Sequence, residues 1–320
     1  MSARDSAAFL NQLPPFHSPR WLASGNLQTL YAKLLQSPPP AYRRELLPDS
    51  TGREQVAYDF IDAPNPDAPL VVLFHGLEGG SGSHYAVALM QEVAARGWHG
   101  VVAHFRSCGG VPSKAMYHSG DTPEVAHMLK LLAARYRQIY AVGVSLGGNV
   151  LAKYLGEQGR LQQNTLVRAA ATVSAPLDLP AAGHTLAHGL PRLLYTRYFL
   201  STLMPKVAAQ PGLRIRSLAD FDNAYTAPLH GFADKDDYYR RAAAKPFLPD
   251  ITTPTLLLNA QNDPFLPGRF LPTADEVSDS VYLLQPANGG HVGFVSGSGR
   301  GHLRWMPQAV LSFFDWQNSR

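Results

Sequence analysis

The sequence predicts an α/β fold in which a mostly parallel central sheet is flanked by helices. From about residue 51 onward, short apolar runs alternate with segments whose apolar residues have helical spacing. One such segment opens with Thr122-Pro123, an N-cap residue followed by a proline suited to the first helical turn. Val125, Met128, Leu129 and Leu132 then recur on one face of the predicted helix. This alternation is typical of parallel strands joined by crossover helices.

Six apolar runs are predicted to be strands, because each is short and most are bounded by residues that favour turns. They are Leu70–Phe74, Gly100–His104, Ile139–Gly143, Leu166–Val173, Pro254–Ala260 and Ser280–Leu284. A second helical face is formed by Leu89, Met90, Val93 and Ala94, and Gly97 is its predicted stop signal. A third helix is expected over Gly148–Glu157.

The pentapeptide Gly143-Val144-Ser145-Leu146-Gly147 joins one of these strands to the third helix. A nucleophilic serine on a sharp strand-to-helix turn needs neighbours two residues away that have almost no side chain. Gly143 and Gly147 meet that requirement, and Ser145 is therefore a candidate nucleophile. Taken alone, the motif fits a glycine-rich connecting turn equally well.

An acid and a histidine follow Ser145 in the chain order of a Ser-Asp-His triad. Asp263 comes just after a predicted strand, and His291 lies in a glycine-rich loop beyond the final strand. Asp178 is an alternative acid, because it follows the strand that ends at Val173. His75 precedes the nucleophile, so we expect it to pack or form hydrogen bonds beneath its loop.

An oxyanion hole requires two backbone N–H groups that point at the developing negative charge. The strand Leu70–Phe74 runs into His75-Gly76-Leu77-Glu78-Gly79-Gly80, where one such donor belongs. We predict that the donors are the N–H groups of Leu77 and Leu146. Substitution of the Leu77 side chain is therefore expected to matter less than a change that moves its backbone.

The chain is predicted to divide into three parts. Residues 1–50 form an N-terminal arm, residues 51–175 and 250–320 form the α/β core, and residues 176–249 form a helical cap or lid insertion. Within the insertion, Leu190–Met204 has two interpretations. It is either a cap helix buried on the core, or a segment that lines an acyl-binding groove and contacts a membrane surface through Arg192 and Arg197.

Composition excludes several classes of partner. Charged residues make up only 16% of the chain, the net charge is +4, and no run of five or six like charges suggests a nucleic-acid partner. A single cysteine, Cys108, excludes an internal disulfide framework and fits a reducing cytosol. Neither a secretory leader nor an apolar run of 18 residues is found, so a cytoplasmic location without a transmembrane segment is expected.

With these residues assembled, the chain resembles the YheT-type α/β hydrolases, bacterial candidate esterases related to eukaryotic lipases and phospholipases. The shared motifs span most of the chain and are Trp21-Leu22, Leu27-Gln28-Thr29, His75–Gly79, His104–Arg106, Tyr117–Thr122, Gly143–Asn149, Thr226–Gly231, Asp237–Tyr239, Asn262–Phe265 and Gly289–Phe294. The resemblance implies the α/β-hydrolase fold and the triad Ser145, Asp263 and His291. Relatives commonly carry glycine at the position of Ser107, so this residue is expected to narrow the pocket if its loop borders it.

The expected function is that of a serine carboxylic ester hydrolase acting through an acyl-enzyme on short- to medium-chain acyl esters, including acylglycerols or phospholipids. No cofactor and no metal ion are expected, because no phosphate-binding motif is present and the twelve histidines lack H-E-x-x-H spacing. A thioesterase, an acyltransferase and a non-catalytic binding protein of this fold remain alternatives. Oligomeric state cannot be predicted from these patterns.

Overall fold

The centre of the fold is one eight-stranded sheet, seen in a computed structural model that describes residues 9–35, 37–163, 165–207 and 213–319. The strands are β1 Arg43–Pro48, β2 Gln55–Ile61, β3 Leu70–Phe74, β4 His99–Ala103, β5 Ile139–Val144, β6 Ala169–Val173, β7 Thr255–Leu258 and β8 Val281–Leu284. Their order across the sheet is β1-β2-β4-β3-β5-β6-β7-β8. β1 and β2 are antiparallel to their neighbours, and β3 to β8 are mutually parallel. The predicted mostly parallel sheet is confirmed.

β3 has its predicted bounds, β5, β7 and β8 differ from theirs by one or two residues at an end, and β1 and β2 were not among the predicted strands. β4 lies one residue earlier than predicted, and β6 begins at Ala169 rather than at the predicted Leu166, which is exposed at the surface. β1 lies inside the segment predicted to be an arm. It is an exposed edge strand without a run of apolar residues, so the sequence pattern gave no strand signal there.

Phe9 and Leu10 are helical at the start of the described residues, and eleven further helices lie wholly within them. They are α1 Gly25–Tyr31, α2 His84–Ala95, α3 Thr122–Ala133, α4 Leu146–Arg160, α5 Leu179–Ala187, α6 Gly189–Pro191, α7 Arg197–Leu203, α8 Leu218–Phe221, α9 Ala227–Leu229, α10 Lys235–Ala242 and α11 Trp305–Asn318. Single π-turns cover Arg192–Thr196 and Asp222–Thr226. Short 3-10 turns cover Arg20–Leu22, Ala32–Leu35, Met204–Lys206, Lys245–Asp250, Gly268–Phe270 and Ala274–Glu276. Among the described residues, every helix is too short or too polar to span a lipid bilayer.

Both faces of the sheet are buried beneath helices. The alternation of side chains along β3 places Leu70, Val72 and Phe74 in one apolar cluster, together with residues of α3 and α4. Val71 and Leu73 point to the other face, where they join residues of α2 and α11. This two-sided burial explains why the parallel strands are continuous apolar runs rather than alternating ones.

The carboxyl ends of the parallel strands carry the loops that matter for function. Helix α4 follows β5 directly and begins at Leu146, two residues before the predicted start. Between β6 and β7 the described residues form α5 to α10 and contain no strand. This segment, residues 176–249, is called the insertion below. Its residues Leu203 and Phe221 pack with Met116, and the loop residue Leu77 packs against this cluster.

Candidate active site

Ser145 occupies a strained turn between β5 and α4. Its backbone has φ 52° and ψ −119°, a left-handed conformation that is costly for a residue other than glycine. A Cβ atom on Gly147 would lie 2.2 Å from the carbonyl oxygen of Phe74, and one on Gly143 would lie 2.4 Å from the carbonyl oxygen of Gly147. Both glycines are therefore required for the turn to close, as the motif predicted.

The structure brings together the three residues that chain order selected. His291 Nε2 lies 2.9 Å from Ser145 Oγ, and His291 Nδ1 lies 2.9 Å from Asp263 Oδ2. Asp263 is buried and also accepts a 2.7 Å hydrogen bond from the backbone N–H of Phe265 at Oδ1. The imidazole is thus held between a hydroxyl and a carboxylate, the arrangement in which a histidine can take up a serine proton.

Asp178 and His75 lie outside this constellation. Asp178 is the N-cap of α5 and accepts a 3.1 Å hydrogen bond from the N–H of Ala181. His75 is fully buried; its Nδ1 donates to the carbonyl of Gly76 at 2.8 Å, and its Nε2 accepts from the N–H of Phe105 at 3.1 Å. Burial lowers the pKa of His75 to about 3, so the ring is neutral and serves to anchor the loop.

The two backbone N–H groups predicted to be oxyanion donors belong to the loop after β3 and to the first turn of α4. In the loop after β3, Gly76 N–H donates to Tyr85 Oη, Glu78 N–H to Tyr117 Oη, and Gly79 N–H to the Gly76 carbonyl. Among the described residues no acceptor is found for the N–H of Leu77, which lies between them. Leu146 is the first residue of α4, where backbone N–H groups have no partner within the helix. Both leucines line the space beside Ser145.

Comparisons with known proteins identify the family of this chain. Residues 69–200 match the alpha/beta hydrolase fold family. The chain is 36% identical over 324 residues to YheT of Escherichia coli K12, a candidate esterase, with 93% of this chain and 91% of that protein covered. This chain belongs to the YheT-type family of α/β hydrolases. It is also similar to a monoacylglycerol lipase of Saccharomyces cerevisiae, with 31% identity over 276 residues that cover 77% of this chain and 58% of that lipase.

A solved structure shares the fold at much lower identity. Est1E from Butyrivibrio proteoclasticus, determined with ferulic acid bound, superposes with a TM-score of 0.57 at 17% identity. The match covers 88% of this chain and all of that one. The α/β-hydrolase fold implied by the sequence resemblance is confirmed.

The loop of His291 in this α/β hydrolase is supported by residues that sequence reasoning did not place at the site. Thr29 Oγ1, on α1, accepts a 2.8 Å hydrogen bond from the N–H of His291. Ser174 Oγ accepts one of 2.9 Å from the N–H of Val292. The ring of Phe265 stacks on the imidazole with centroids 3.8 Å apart. Thr29 belongs to the shared motif Leu27-Gln28-Thr29, but the neighbouring sequence does not indicate that it contacts His291.

The Tyr117–Asp121 motif both braces the loops and lines the site. Tyr117 O–H donates to Glu78 Oε1 at 3.1 Å, in addition to accepting the Glu78 N–H. Asn149 Nδ2, on α4, donates to the carbonyl of Ser119 at 2.8 Å, which ties the motif to the nucleophile helix. Tyr117, His118 and Ser119 also line the cavity beside Ser145.

Two spaces adjoin Ser145. The first, called the insertion cavity, has mostly apolar walls formed by the insertion, by Tyr117–Ser119 and by Leu146. The second, called the arm cleft, is bordered by Thr29, Leu30 and Lys33 of the arm and by His291. Leu77, Ser145, Phe199 and Phe265 border both spaces. An ester whose carbonyl carbon meets Ser145 can therefore place its acyl and alcohol parts in different spaces.

Ser107 and Cys108 border neither space. Ser107 has φ 61°, which explains why glycine suits this position in relatives, and its Oγ donates to the carbonyl of Ser113 at 3.0 Å. The expected narrowing of the pocket by Ser107 is not observed. Cys108 is buried, and burial raises the pKa of its thiol to about 11, so it is a packed side chain rather than a thiolate nucleophile.

Proposed function

We propose that this chain is a serine carboxylic ester hydrolase that acts through Ser145, His291 and Asp263. The observation that carries the proposal is the 2.9 Å contact between Ser145 Oγ and an imidazole whose other nitrogen faces a buried carboxylate. A serine hydroxyl is a weak nucleophile at neutral pH, so it needs a neighbouring base. His291 takes the proton, and Asp263 holds the ring tautomer and stabilises the imidazolium that forms.

The reaction proceeds in two acyl transfers. Ser145 Oγ forms a bond to the ester carbonyl carbon while its proton passes to His291 Nε2. The carbonyl oxygen becomes negative and accepts hydrogen bonds from the N–H groups of Leu77 and Leu146, each contributing about 3 kcal/mol of transition-state stabilisation. The alkoxide then leaves with the proton from His291. A water molecule, deprotonated by the same imidazole, attacks the acyl-enzyme and releases the acid.

Acyl esters of short to medium length are the favoured substrates, and acylglycerols are the favoured natural class. The largely apolar walls of the insertion cavity suit a hydrocarbon chain, because burial of apolar surface drives its binding. The similarity to a monoacylglycerol lipase supports an acylglycerol substrate. Phospholipids belong to the same chemical class of acyl ester and are included in the test below.

Exposed apolar side chains lie on the two segments that border the arm cleft, and Leu30 and Tyr198 among them line it. Leu27, Leu30 and Leu34 follow one face of α1 and the turn after it, and all three are exposed. Across the cleft, Tyr198 is exposed on the insertion, and Lys33 Nζ lies 4.1 Å from the centroid of its ring. Leu193 and Leu194 are exposed on the same segment of the insertion as Tyr198. We name these six apolar residues the mouth patch.

The occupant we propose for the mouth patch is an anionic lipid surface. Lys33 and Arg197 are exposed beside its apolar residues, so the patch combines apolar and positive groups in the manner of interfacial helices. Contact with lipid at this place would deliver water-insoluble esters directly into the arm cleft. This develops the second interpretation of Leu190–Met204 and extends it to the arm.

The test is an activity profile over nitrophenyl esters of increasing chain length, acylglycerols, phospholipids and thioesters, with and without acceptor alcohols. We expect the acid product from oxygen esters, and we expect Ser145→Ala to lose activity by at least about a thousandfold. A fluorophosphonate should label Ser145 in the wild-type protein. A Ser145→Ala protein with full esterase activity would reject the mechanism, and faster turnover of thioesters or acyl transfer to alcohols would select those alternatives.

A further inference from the structure

The insertion cavity contains a carboxylate that the proposed mechanism does not use. Asp222 is the one charged side chain among the described residues that line this cavity, whose other walls are mostly apolar. It belongs to the π-turn Asp222–Thr226 of the insertion. Burying a carboxylate in such surroundings is costly unless its oxygens receive hydrogen bonds.

Asp222 has two donors in the protein. Tyr239 O–H donates to Oδ2 and Thr226 O–H donates to Oδ1, each at 2.7 Å. A carboxylate has about four acceptor positions, so these two donors leave acceptor capacity on both oxygens. Asp222 lines the cavity and the residue is partly exposed, so we infer that the remaining acceptor capacity faces the cavity.

Neighbouring residues hold the carboxylate of Asp222 in place. Among the described residues that line the cavity there is no lysine or arginine to pair with it. A Cβ atom on Gly183 would lie 2.6 Å from Tyr239 Cε2, so the Tyr239 ring packs directly on the backbone of α5. Tyr238 accepts a 3.0 Å hydrogen bond from the N–H of Ser119, and burial raises the pKa of the Tyr238 phenol. Burial lowers the pKa of the nearby cavity residue His118 to about 3, so this ring is neutral.

We propose that Asp222 accepts a hydrogen bond from a hydroxyl group of the substrate, so that the protein selects esters carrying a free hydroxyl. The hydroxyl belongs either to the acyl chain or to a glycerol moiety, according to which part of the ester enters the insertion cavity. This inference depends on the ester hydrolysis proposed above. It also gives a role to Thr226 and Tyr239, which lie in shared motifs that the triad does not explain.

A hydroxyl is favoured over an ammonium group by the apolar walls. A neutral O–H loses less hydration than a cation when it enters such a cavity, and its hydrogen bond to a charged acceptor is strengthened by the low dielectric. An ester that lacks the donor leaves the acceptor positions of Asp222 unpaired once its chain displaces water. Sites of this kind reject analogues that lack the polar group more strongly than purely apolar sites do.

The experiment measures selectivity by competition between paired esters in one enzyme preparation, so the ratio does not depend on the folded fraction. The pairs are nitrophenyl octanoate against nitrophenyl hydroxyoctanoates, and propyl octanoate against monooctanoylglycerol. A third pair sets nitrophenyl octanoate against nitrophenyl aminooctanoate. The enzymes are the wild type, Asp222→Asn, Tyr239→Phe and a control, Leu186→Ala, which changes an apolar wall of the same cavity.

We expect the wild type to prefer at least one hydroxylated ester by about tenfold in kcat/KM, with most of the difference in KM. Asp222→Asn should reduce that preference to about twofold, because an amide has one acceptor oxygen and no charge. Tyr239→Phe should reduce it less, and Leu186→Ala should affect both members of a pair alike. The pair that shows the preference identifies whether the hydroxyl lies on the acyl or the alcohol part.

Three results would overturn the inference. If the wild type hydrolyses both members of every hydroxyl pair equally, the proposal of a hydroxyl site is wrong, but the proposed ester hydrolysis is unaffected. A preference that survives Asp222→Asn would place the hydroxyl elsewhere. A stronger preference for the amino ester would show that Asp222 binds an ammonium group rather than a hydroxyl. If no ester is hydrolysed at all, the proposed function itself fails, and that outcome is distinct from these three.

Discussion

Thr29 Oγ1 accepts a 2.8 Å hydrogen bond from the backbone N–H of His291, 262 residues away in the sequence. The Thr29 hydroxyl donates in turn to the carbonyl of Gly25 at 2.7 Å. A Cβ atom on Gly290 would lie 2.4 Å from that same carbonyl oxygen, so the arm and the histidine loop are in backbone contact. The arm therefore belongs to the support of the candidate active site.

The first prediction concerns this contact. Thr29→Val removes the acceptor and leaves the His291 N–H unpaired, so the imidazole loses its alignment with Ser145. We expect kcat to fall about 10- to 100-fold with KM changed less than about threefold, because the change affects positioning rather than binding. Thr29→Ser retains the hydroxyl and should restore most of kcat. A Thr29→Val enzyme with normal kcat on nitrophenyl butyrate would show that the contact is not needed for positioning.

The second prediction separates backbone from side chain at the oxyanion site. Leu77→Ala keeps the N–H group, so kcat/KM should fall less than about tenfold, well below the loss of one oxyanion donor. Gly147→Ala introduces a Cβ that would lie 2.2 Å from the Phe74 carbonyl oxygen, so the turn at Ser145 must shift and activity should be lost. Steady-state kinetics and thermal unfolding measure both variants. A hundredfold loss in a stably folded Leu77→Ala protein would contradict the assignment.

The third prediction concerns the buried ion cluster beneath the Tyr117–Asp121 motif. Arg106 Nη1 lies 2.7 Å from Glu124 Oε2 and 3.3 Å from Asp49 Oδ2, and Nη2 is paired with Asp121 Oδ2. All four side chains are buried. Removing the guanidinium leaves buried carboxylates without their cation, so Arg106→Met should lower the free energy of unfolding by about 3–5 kcal/mol.

The control for this change is Arg240→Met. Arg240 pairs with Asp237 at 2.6 Å on the exposed surface of α10, where water screens such pairs and they contribute little to the free energy of unfolding. Urea unfolding of the two variants measures the contrast. Equal losses for Arg106→Met and Arg240→Met would mean that the buried cluster does not stabilise the fold.

The fourth prediction uses the titration of Asp222. Burial raises the pKa of its carboxyl from 3.8 to about 6, so between these pH values the folded state holds a proton that the unfolded state releases. The stability that Asp222 contributes is therefore largest at low pH and is lost as the pH rises to about 6. Asp222→Asn does not titrate. The unfolding free energy of the wild type minus that of this variant should fall by about 2 kcal/mol between pH 4.5 and pH 7.5. A difference that is constant over this range would refute the raised pKa.

The fifth prediction tests the mouth patch by flotation with vesicles of phosphatidylglycerol and phosphatidylcholine. The wild type should float with vesicles that contain the anionic lipid, and the double variant Leu34→Glu, Leu193→Glu should float about fivefold less, because it places two charges in the apolar patch. Leu161→Glu is the matched control, since Leu161 is 62% exposed at the far end of α4. Failure of the wild type to float, or equal loss in the control, would eliminate lipid contact at this patch.

The sequence predicted best what is encoded locally or by chain order. Ser145 could be recognised because its turn requires glycine at two neighbouring positions. Asp263 and His291 could be named because both follow strands whose carboxyl ends meet at one edge of a parallel sheet. Asp178 also follows a strand of the parallel sheet, so the sequence could not exclude it as the acid. In the structure its side chain caps α5 instead of pairing with His291.

Contacts between distant segments could not be predicted in this way. The hydrogen bond from His291 to Thr29 joins a loop to the short helix α1, and neither sequence has a pattern that would pair them. The edge strand β1 is exposed or half-buried along its length, so its sequence lacks the apolar run by which the other strands were predicted. The environment of Asp222 depends on α5 and α10 meeting in the insertion, and neither segment alone indicates a polar site in the cavity.

The pairing of Thr29 with His291 also bears on when during translation the protein can become active. The arm emerges from the ribosome early in translation. Its contact in the active site, His291, is synthesised 262 residues after Thr29. A nascent chain that has already exposed Ser145 therefore lacks the base His291, and we expect full activity only after His291 has been synthesised and its loop has packed on the arm.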